Sequence, residues 1–258
     1  MPISEYEQEY LTVFDPKTYL DEYYGPEPDE ETRFTTQFMV NALQTMPQNL
    51  SVLELGTGPC LYSAAVLAKQ ALEIHLSDYV PASIAELRRW LEDHAEVHNW
   101  NPYIKLVLEQ EGQTATPKTI EQRASLIRQK VTQVTHCDVL ATEPIGANAP
   151  QYDLVTAHHC TDVAASTVDE WVQVMQNISN LVKPKGWLLL SITMGATTNT
   201  FVHNGETHIF PCVSLTEQNI RQGYELAGYD LNTFCLKKLT VPDEREYSAD
   251  VKVLARNL

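Results

Sequence analysis

One segment restricts this chain more than any other: Ser51-Val52-Leu53-Glu54-Leu55-Gly56-Thr57-Gly58-Pro59. An apolar run of strand length meets a Gly-x-Gly turn, and the small and apolar residues Leu61 to Ala68 then read as a helix. Glycine suits such a turn because the backbone must reverse sharply and let a ligand approach with no Cβ in the way. A dinucleotide site asks for a third glycine and rests a diphosphate on the helix N-terminus. Here Leu61 holds the third position, and Glu54 at the strand end would repel a diphosphate. S-adenosyl-L-methionine has no phosphate but carries an amino-acid head and a sulfonium, so a carboxylate is compatible with it. Asp78, 20 residues beyond Gly58, ends the next apolar run, where a carboxylate can accept hydrogen bonds from ribose hydroxyls in either cofactor class.

The rest of the chain alternates in the same style. Strands are expected at 51–55, 73–76, 104–108, 130–137, 152–157, 187–192, 231–239 and 250–255. Helices are expected at 30–43, 61–68, 81–94, 117–131, 168–181 and 217–227. This alternation predicts an α/β fold with a largely parallel sheet covered by helices on both faces. Ligands of such sheets bind beyond the C-terminal strand ends, where Asp138-Val139 and His158 to Asp162 fall. Asp138 could bond an adenine amino group while Val139 covers the ring, or Asp138 could simply cap a turn. The first ~45 residues form an aromatic-rich preamble with Phe14, Tyr19, Tyr23 and Tyr24, interrupted at Pro26 and Pro28.

Composition removes several function classes. No apolar run approaches the ~20 residues of a membrane span, and the glutamate-bearing N-terminus lacks the basic residues of a signal or transit peptide. A cytoplasmic, single-domain protein over 1–258 is expected. The net charge of −16 disfavours nucleic acid, whose binding rests on Lys and Arg neutralising phosphates, and could steer a cationic substrate inward. Five cysteines with no CxxC pair read as buried structural thiols. His158-His159-Cys160 brings no carboxylate at metal-site spacing, so no metal is expected.

In combination, a series of short motifs resembles the nicotinamide, phenylethanolamine and thioether/amine methyltransferases. It runs through Phe14-Asp15-Pro16-Lys17-Thr18-Tyr19-Leu20, Gly56-Thr57-Gly58-Pro59-Cys60-Leu61-Tyr62, Asp78-Tyr79, Leu87-Arg88-Arg89-Trp90-Leu91 and Asn99-Trp100. It continues through Glu111-Gly112, Cys137-Asp138-Val139, Pro144-Ile145-Gly146-Ala147, Leu181-Val182-Lys183-Pro184-Lys185-Gly186 and Ala227-Gly228-Tyr229, covering about residues 14 to 255. The resemblance implies a Rossmann-like class I methyltransferase: a seven-stranded, mostly parallel sheet with an antiparallel edge strand and an N-terminal helical lid over residues 1–45. It implies that Tyr19 and Tyr24 belong to that lid. It also implies that Gly56, Thr57 and Tyr62 hold the methionine end of the cofactor, Asp78 and Ser83 its ribose side, and Asp138 and Val139 its adenine. Glu54, Gly58 and Tyr79, beside these, are expected cofactor contacts as well. His158 falls at a cofactor position that the family usually fills with a small residue. Asp162 matches the acidic residue that contacts the amine in the phenylethanolamine branch, and Asp250 opens an Asp-Val-Lys run resembling that branch's amine-binding tail.

The chain also departs from the family. The nicotinamide branch places an acidic residue after the strand at 187–191, where this chain has Ile192-Thr193-Met194. The loop 195–204 reads as polar and Thr-rich, without the bulky aromatic surface that would favour a catechol. A small aliphatic amine is the expected substrate, and a monomer the expected state. An alkyl amine with a pKa of ~10.4 arrives protonated, so a carboxylate such as Asp162 is expected to hold the ammonium and accept its proton. Other readings stand beside these. Asp162 could cap the following helix, Tyr19 and Tyr24 could be core aromatics, and Asp250 and Glu244, the two other candidates for binding the amine, could lie on a solvated hairpin. The function could be that of a nicotinamide-cofactor oxidoreductase, an O- or S-methyltransferase on the same fold, or a non-catalytic cofactor binder.

Overall fold

The structure is a computed structural model and describes residues 5–203, 205–241 and 247–258. Three helices precede the sheet: α1 (Glu5–Val13), α2 (Pro16–Tyr23) and α3 (Glu30–Leu43). Asp15 and Asp29 start the second and third by accepting the amides of Thr18 (2.8 Å) and Thr32 (2.7 Å), donors a helix start would otherwise leave open. Between α2 and α3 lies the stretch with Pro26 and Pro28.

The alternating segment then runs β1 (Leu50–Leu55), α4 (Tyr62–Leu67), β2 (Ala71–Asp78), α5 (Pro81–Leu91), α6 (Asn101–Gln110), α7 (Pro117–Lys130), β3 (Val131–His136) and β4 (Tyr152–His158). It continues with α8 (Thr161–Ala164), α9 (Val168–Ser179), β5 (Val182–Met194), β6 (Thr198–His203), β7 (Glu206–Pro211), α10 (Glu217–Leu226), β8 (Tyr229–Thr240) and β9 (Ala249–Asn257). Seven strands form one sheet in the order β3-β2-β1-β4-β5-β9-β8, parallel from β3 to β5. β9 runs antiparallel between β5 and β8. The chain order reverses between β1 and β4, so the crevice beyond their C-terminal ends is where a ligand of such a sheet sits.

Two apolar layers cover the sheet. One is centred on Met39, Ala64, Leu87, Ile104 and Ile127 from α3 to α7, the other on Trp171, Met175, Ile178, Ile220 and Tyr224 from α9 and α10. Each layer hides one face of the sheet, and the central strands β1 and β5, with Leu53, Leu55 and Leu188 to Leu190 buried, carry the near-continuous apolar runs that doubly covered strands require.

Three expectations fail. Ile104 to Leu108 is not a strand but the middle of α6: Ile104, Val107 and Leu108 are buried at helical spacing, a pattern a five-residue apolar run cannot reveal. The strand expected at 187–192 starts earlier: β5 begins at Val182 and takes in Pro184-Lys185-Gly186 as an irregularity, with Lys185 at φ +63°. Over residues 195–203 the loop is not plain and polar. It supplies β6, which pairs with β7 and contributes the buried Phe201. The thiols of Cys60, Cys137 and Cys212 are buried and Cys160 is half-buried, but Cys235 is exposed on the edge strand β8.

Candidate active site

The Gly-x-Gly turn closes through its neighbours. Gly56 and Gly58 have φ +63° and +62°, the left-handed region that glycine enters without steric cost. The two have different uses. A Cβ at Gly56 would meet the Cys160 side chain, 2.6 Å from its Cβ, so this glycine lets the β4–α8 loop pack against the turn. A Cβ at Gly58 would meet only Cys60 Sγ, at 3.8 Å, so the space beside it is open. The Thr57 amide donates to the Ser77 carbonyl (3.0 Å), tying the turn to β2.

Asp78, at the end of β2, accepts the amides of Gly58 (2.7 Å) and Val80 (2.8 Å). Burial raises its pKa, while those two bonds and the nearby Ser83 hydroxyl work the other way. Glu54 is fully enclosed, and both its oxygens accept from Ser63 Oγ (2.6 and 2.7 Å). Burial pushes its carboxyl up to about 8. Tyr79, next to Asp78, packs at a tilt against His136 (5.2 Å between rings). Asp138 follows β3 and accepts the Leu140 amide (2.9 Å), so it does close a turn, while Val139 beside it is buried.

Over this floor lies an aromatic cover. Tyr24 stacks on Tyr62 of α4 (5.8 Å, 18°) and touches Tyr19, Trp100 and Tyr103. Tyr62 in turn faces His158 (6.0 Å). Tyr10 of α1, which the sequence did not single out, packs on Phe14, Phe201 and Phe210. Burial raises its phenol pKa, and Asp78 and Cys160 lie near enough to push it further. The cover therefore joins α1, α2 and the β6–β7 hairpin. Tyr23 Oη also donates to the Thr200 carbonyl (3.1 Å).

A second group of polar side chains sits beyond β4, β5 and β9. Asp162, 1% exposed, does not serve as the cap of α8. Its Oδ2 accepts from the amide (2.8 Å) and hydroxyl (2.5 Å) of Thr193, the residue standing where an acidic one was looked for. Its Oδ1 is buried and has no hydrogen-bond partner. Thr193 pairs across the sheet with Asp250, which lies on β9 and not on a solvated hairpin. Asp250 Oδ1 accepts from Lys252 Nζ (2.6 Å), both side chains are wholly buried, and Asp250 Oδ2 is again unpartnered. His158 Nδ1 shares a hydrogen with Ser191 Oγ (2.7 Å). His159, at φ +50°, brings Nε2 to 3.5 Å from Lys252 Nζ. Burial, with Lys252 adding to it, lowers both histidines well below their usual pKa, so they are neutral near pH 7. Glu244 lies outside the described residues.

Sequence analysis named Lys252, His159 and Thr193 within longer runs but gave none of them a role here. Lys252 was findable: residues two apart on a strand share a face, so a site at Asp250 implicates it.

The donors and walls suit S-adenosylmethionine. The Asp78 carboxylate could accept from ribose hydroxyls, the space beside Gly58 and the buried Glu54 could take the amino-acid head and sulfonium, and the aromatic side chains could close the top. Among the described residues of the turn and its aromatic cover, none named above is a Lys or Arg that would meet a diphosphate.

The sequence model of the NNMT/PNMT/TEMT family matches residues 4–253. Human nicotinamide N-methyltransferase is 28% identical over 233 residues, covering 87% of this chain and 85% of that one. Rabbit indolethylamine N-methyltransferase is 27% identical (86% and 85% covered), and human phenylethanolamine N-methyltransferase 24% (86% and 81%). Among solved structures, the N-methyltransferase NodS from Bradyrhizobium japonicum with S-adenosyl-L-homocysteine superposes with a TM-score of 0.55 at 13% identity, over 98% of this chain and 99% of that one.

Proposed function

The chain belongs to the NNMT/PNMT/TEMT family, and from that premise we propose that it transfers a methyl group from S-adenosylmethionine to the nitrogen of a small-molecule amine. The observation that carries this reading is the pairing of two buried, half-satisfied carboxylates, Asp162 and Asp250, with a cofactor-type turn at the same end of the sheet. The cofactor supplies an activated methyl and the leaving group. The chain must bind both partners, exclude water and leave the amine unprotonated at the moment of transfer. Gly56, Thr57, Gly58, Glu54 and Tyr62 would surround the methionine end. Asp78, Tyr79 and Ser83 would hold the ribose side, and Asp138 and Val139 the adenine. His158, facing Tyr62, would line the space between cofactor and amine. Tyr10, Tyr19 and Tyr24 would close the top.

Asp162 Oδ1 and Asp250 Oδ2 would receive the ammonium, since a buried acceptor without a partner costs about 1–3 kcal/mol until a donor meets it. We further propose a single domain with residues 1–45 as its lid, acting as a cytoplasmic monomer without nucleic acid. The acidic surface favours the last point, and no described helix is long and apolar enough to cross a membrane. The test is a screen of small amines, aliphatic and aromatic, with methyl-labelled cofactor and product mass as the readout. Methylation confined to hydroxyl or thiol compounds overturns the reading.

A further inference from the structure

Two carboxylates facing one amine raise a problem that general physics poses for any such pair. Close acids repel each other's charge, so one tends to hold a proton and the two act as a coupled unit. The pair here is close in the fold, because Thr193 holds Asp162 from one side and is the cross-strand partner of Asp250 on the other. What distinguishes the two acids is Lys252. Its ammonium contacts Asp250 at 2.6 Å, has no exposed surface, and sits 5.8 Å from the centre of the Phe34 ring. Asp162 is held by the neutral amide and hydroxyl of Thr193, and the Lys252 charge acts on it through space. The other groups around this pair are Glu31 and Asp29 of α3, His158 and His159 after β4, and Cys160. Glu31 is already engaged by the Tyr247 hydroxyl (2.5 Å) and Asp29 by the Thr32 amide.

We propose that Lys252 is a positioning residue that divides the work of the two acids: it keeps Asp250 anionic as the amine's anchor and leaves Asp162 to accept the amine's proton. This rests on the amine N-methyltransferase reading above. An ammonium enters between Asp162 Oδ1 and Asp250 Oδ2 and gives one proton to Asp162. The freed nitrogen lone pair forms the N–C bond to the methyl carbon, the C–S bond breaks, and its electron pair stays on sulfur. The product leaves as a methylated ammonium, and Asp162 returns its proton to solvent as the site opens. Environment separates the basicities of two chemically identical groups, which is how one site assigns an anchor and a base.

Burial opposes charge on all three groups, raising both carboxyls and lowering the ammonium. Against it stand a hydrogen-bonded ammonium on Asp250 and a hydroxyl and amides on Asp162, and a charge-assisted hydrogen bond is about twice as strong as a neutral one.

The decisive experiment needs no turnover. Carbon-13 NMR of carboxyl-labelled aspartates in the ligand-free full chain, with signals assigned through Asp162→Asn and Asp250→Asn, gives the order of titration. Asp162 should titrate at higher pH than Asp250, and Lys252→Met should move Asp250 upward by roughly one to three pH units, the size of an opposite charge removed at this range. Asp250 titrating at or above Asp162 in the unmodified protein overturns the proposal, whether or not Lys252→Met folds. In turnover, Lys252→Met should shift the acid limb of kcat/KM upward while Lys252→Arg keeps it in place. A uniform loss at every pH marks a merely structural lysine and also overturns the proposal. If no amine is methylated, the assigned activity fails while the titration order still reports on Lys252.

Discussion

Asp78 and Asp162 are both buried aspartates at strand ends, yet their replacement should fail differently. Asp78→Ala removes the acceptor of two backbone amides, Gly58 and Val80, so the melting temperature should drop along with cofactor affinity. The affinity loss should be about 1.5–3 kcal/mol, a hydrogen bond to a charged group, and a calorimetric dissociation constant that stays put refutes the ribose role. Asp162→Asn keeps an oxygen for Thr193 and loses only the charge. kcat/KM should fall by roughly 2–4 kcal/mol, with melting temperature and cofactor affinity nearly unchanged. Near-normal turnover would move the search for the amine's partner to Asp250 and Glu244.

Glu54 gives a pH signature. Its folded pKa of about 8 lies above the unfolded value of 4.5, so its share of stability is present below pH 4.5 and is lost as pH rises through 8. Asp162 and Asp250 shift in the same direction, so Glu54→Gln should flatten, not abolish, the decline of melting temperature between pH 5 and 9. An unchanged slope means Glu54 is ionised in the fold.

At the scale of elements, the parallel half of the sheet was legible because turn chemistry and apolar runs agree there. Gly56, Gly58 and Asp78 each mark a strand end through its chemistry, and β1, β2 and β4 follow. The cover was much less so. β6 and β7 alternate polar residues with Phe201 and Phe210, whose partners Tyr10 and Phe14 lie almost two hundred positions away, and no local pattern predicts such contacts. α6 hid behind a short apolar run for the opposite reason, since its polar face is interrupted by few charges. The acids at 162 and 250 were legible as candidates, but their shared dependence on Thr193 and Lys252 was not, because it is created by strand register. Since the cover joins α1, α2 and a hairpin, deleting residues 1 to 25 should abolish turnover and weaken cofactor binding while far-UV circular dichroism still reports a folded sheet. Normal methylation by the truncated protein would rule out a lid. Replacing Phe201 with Ala should produce a milder form of the same defect, visible as a raised KM for both ligands.

For the whole molecule, binding and charge set the measurable behaviour. S-adenosylmethionine or S-adenosylhomocysteine should raise the melting temperature by mass action, whereas NADH should leave it unchanged; the reverse would favour an oxidoreductase. A net charge of −16 should draw a cationic amine inward, so kcat/KM for it should fall as salt screens the field, and an uncharged analogue should be insensitive. The aromatic network that closes the cofactor turn also carries a built-in optical probe. Of the four tryptophans, Trp100 stands edge-on to Tyr24, 5.4 Å between ring centres, while Trp90, Trp171 and Trp187 lie elsewhere. Movement of Tyr24 changes what quenches and polarises that indole. With the other three indoles replaced by phenylalanine, stopped-flow emission on mixing with S-adenosylmethionine should change if the cover moves in the unlabelled enzyme, and a flat trace would count against a moving lid.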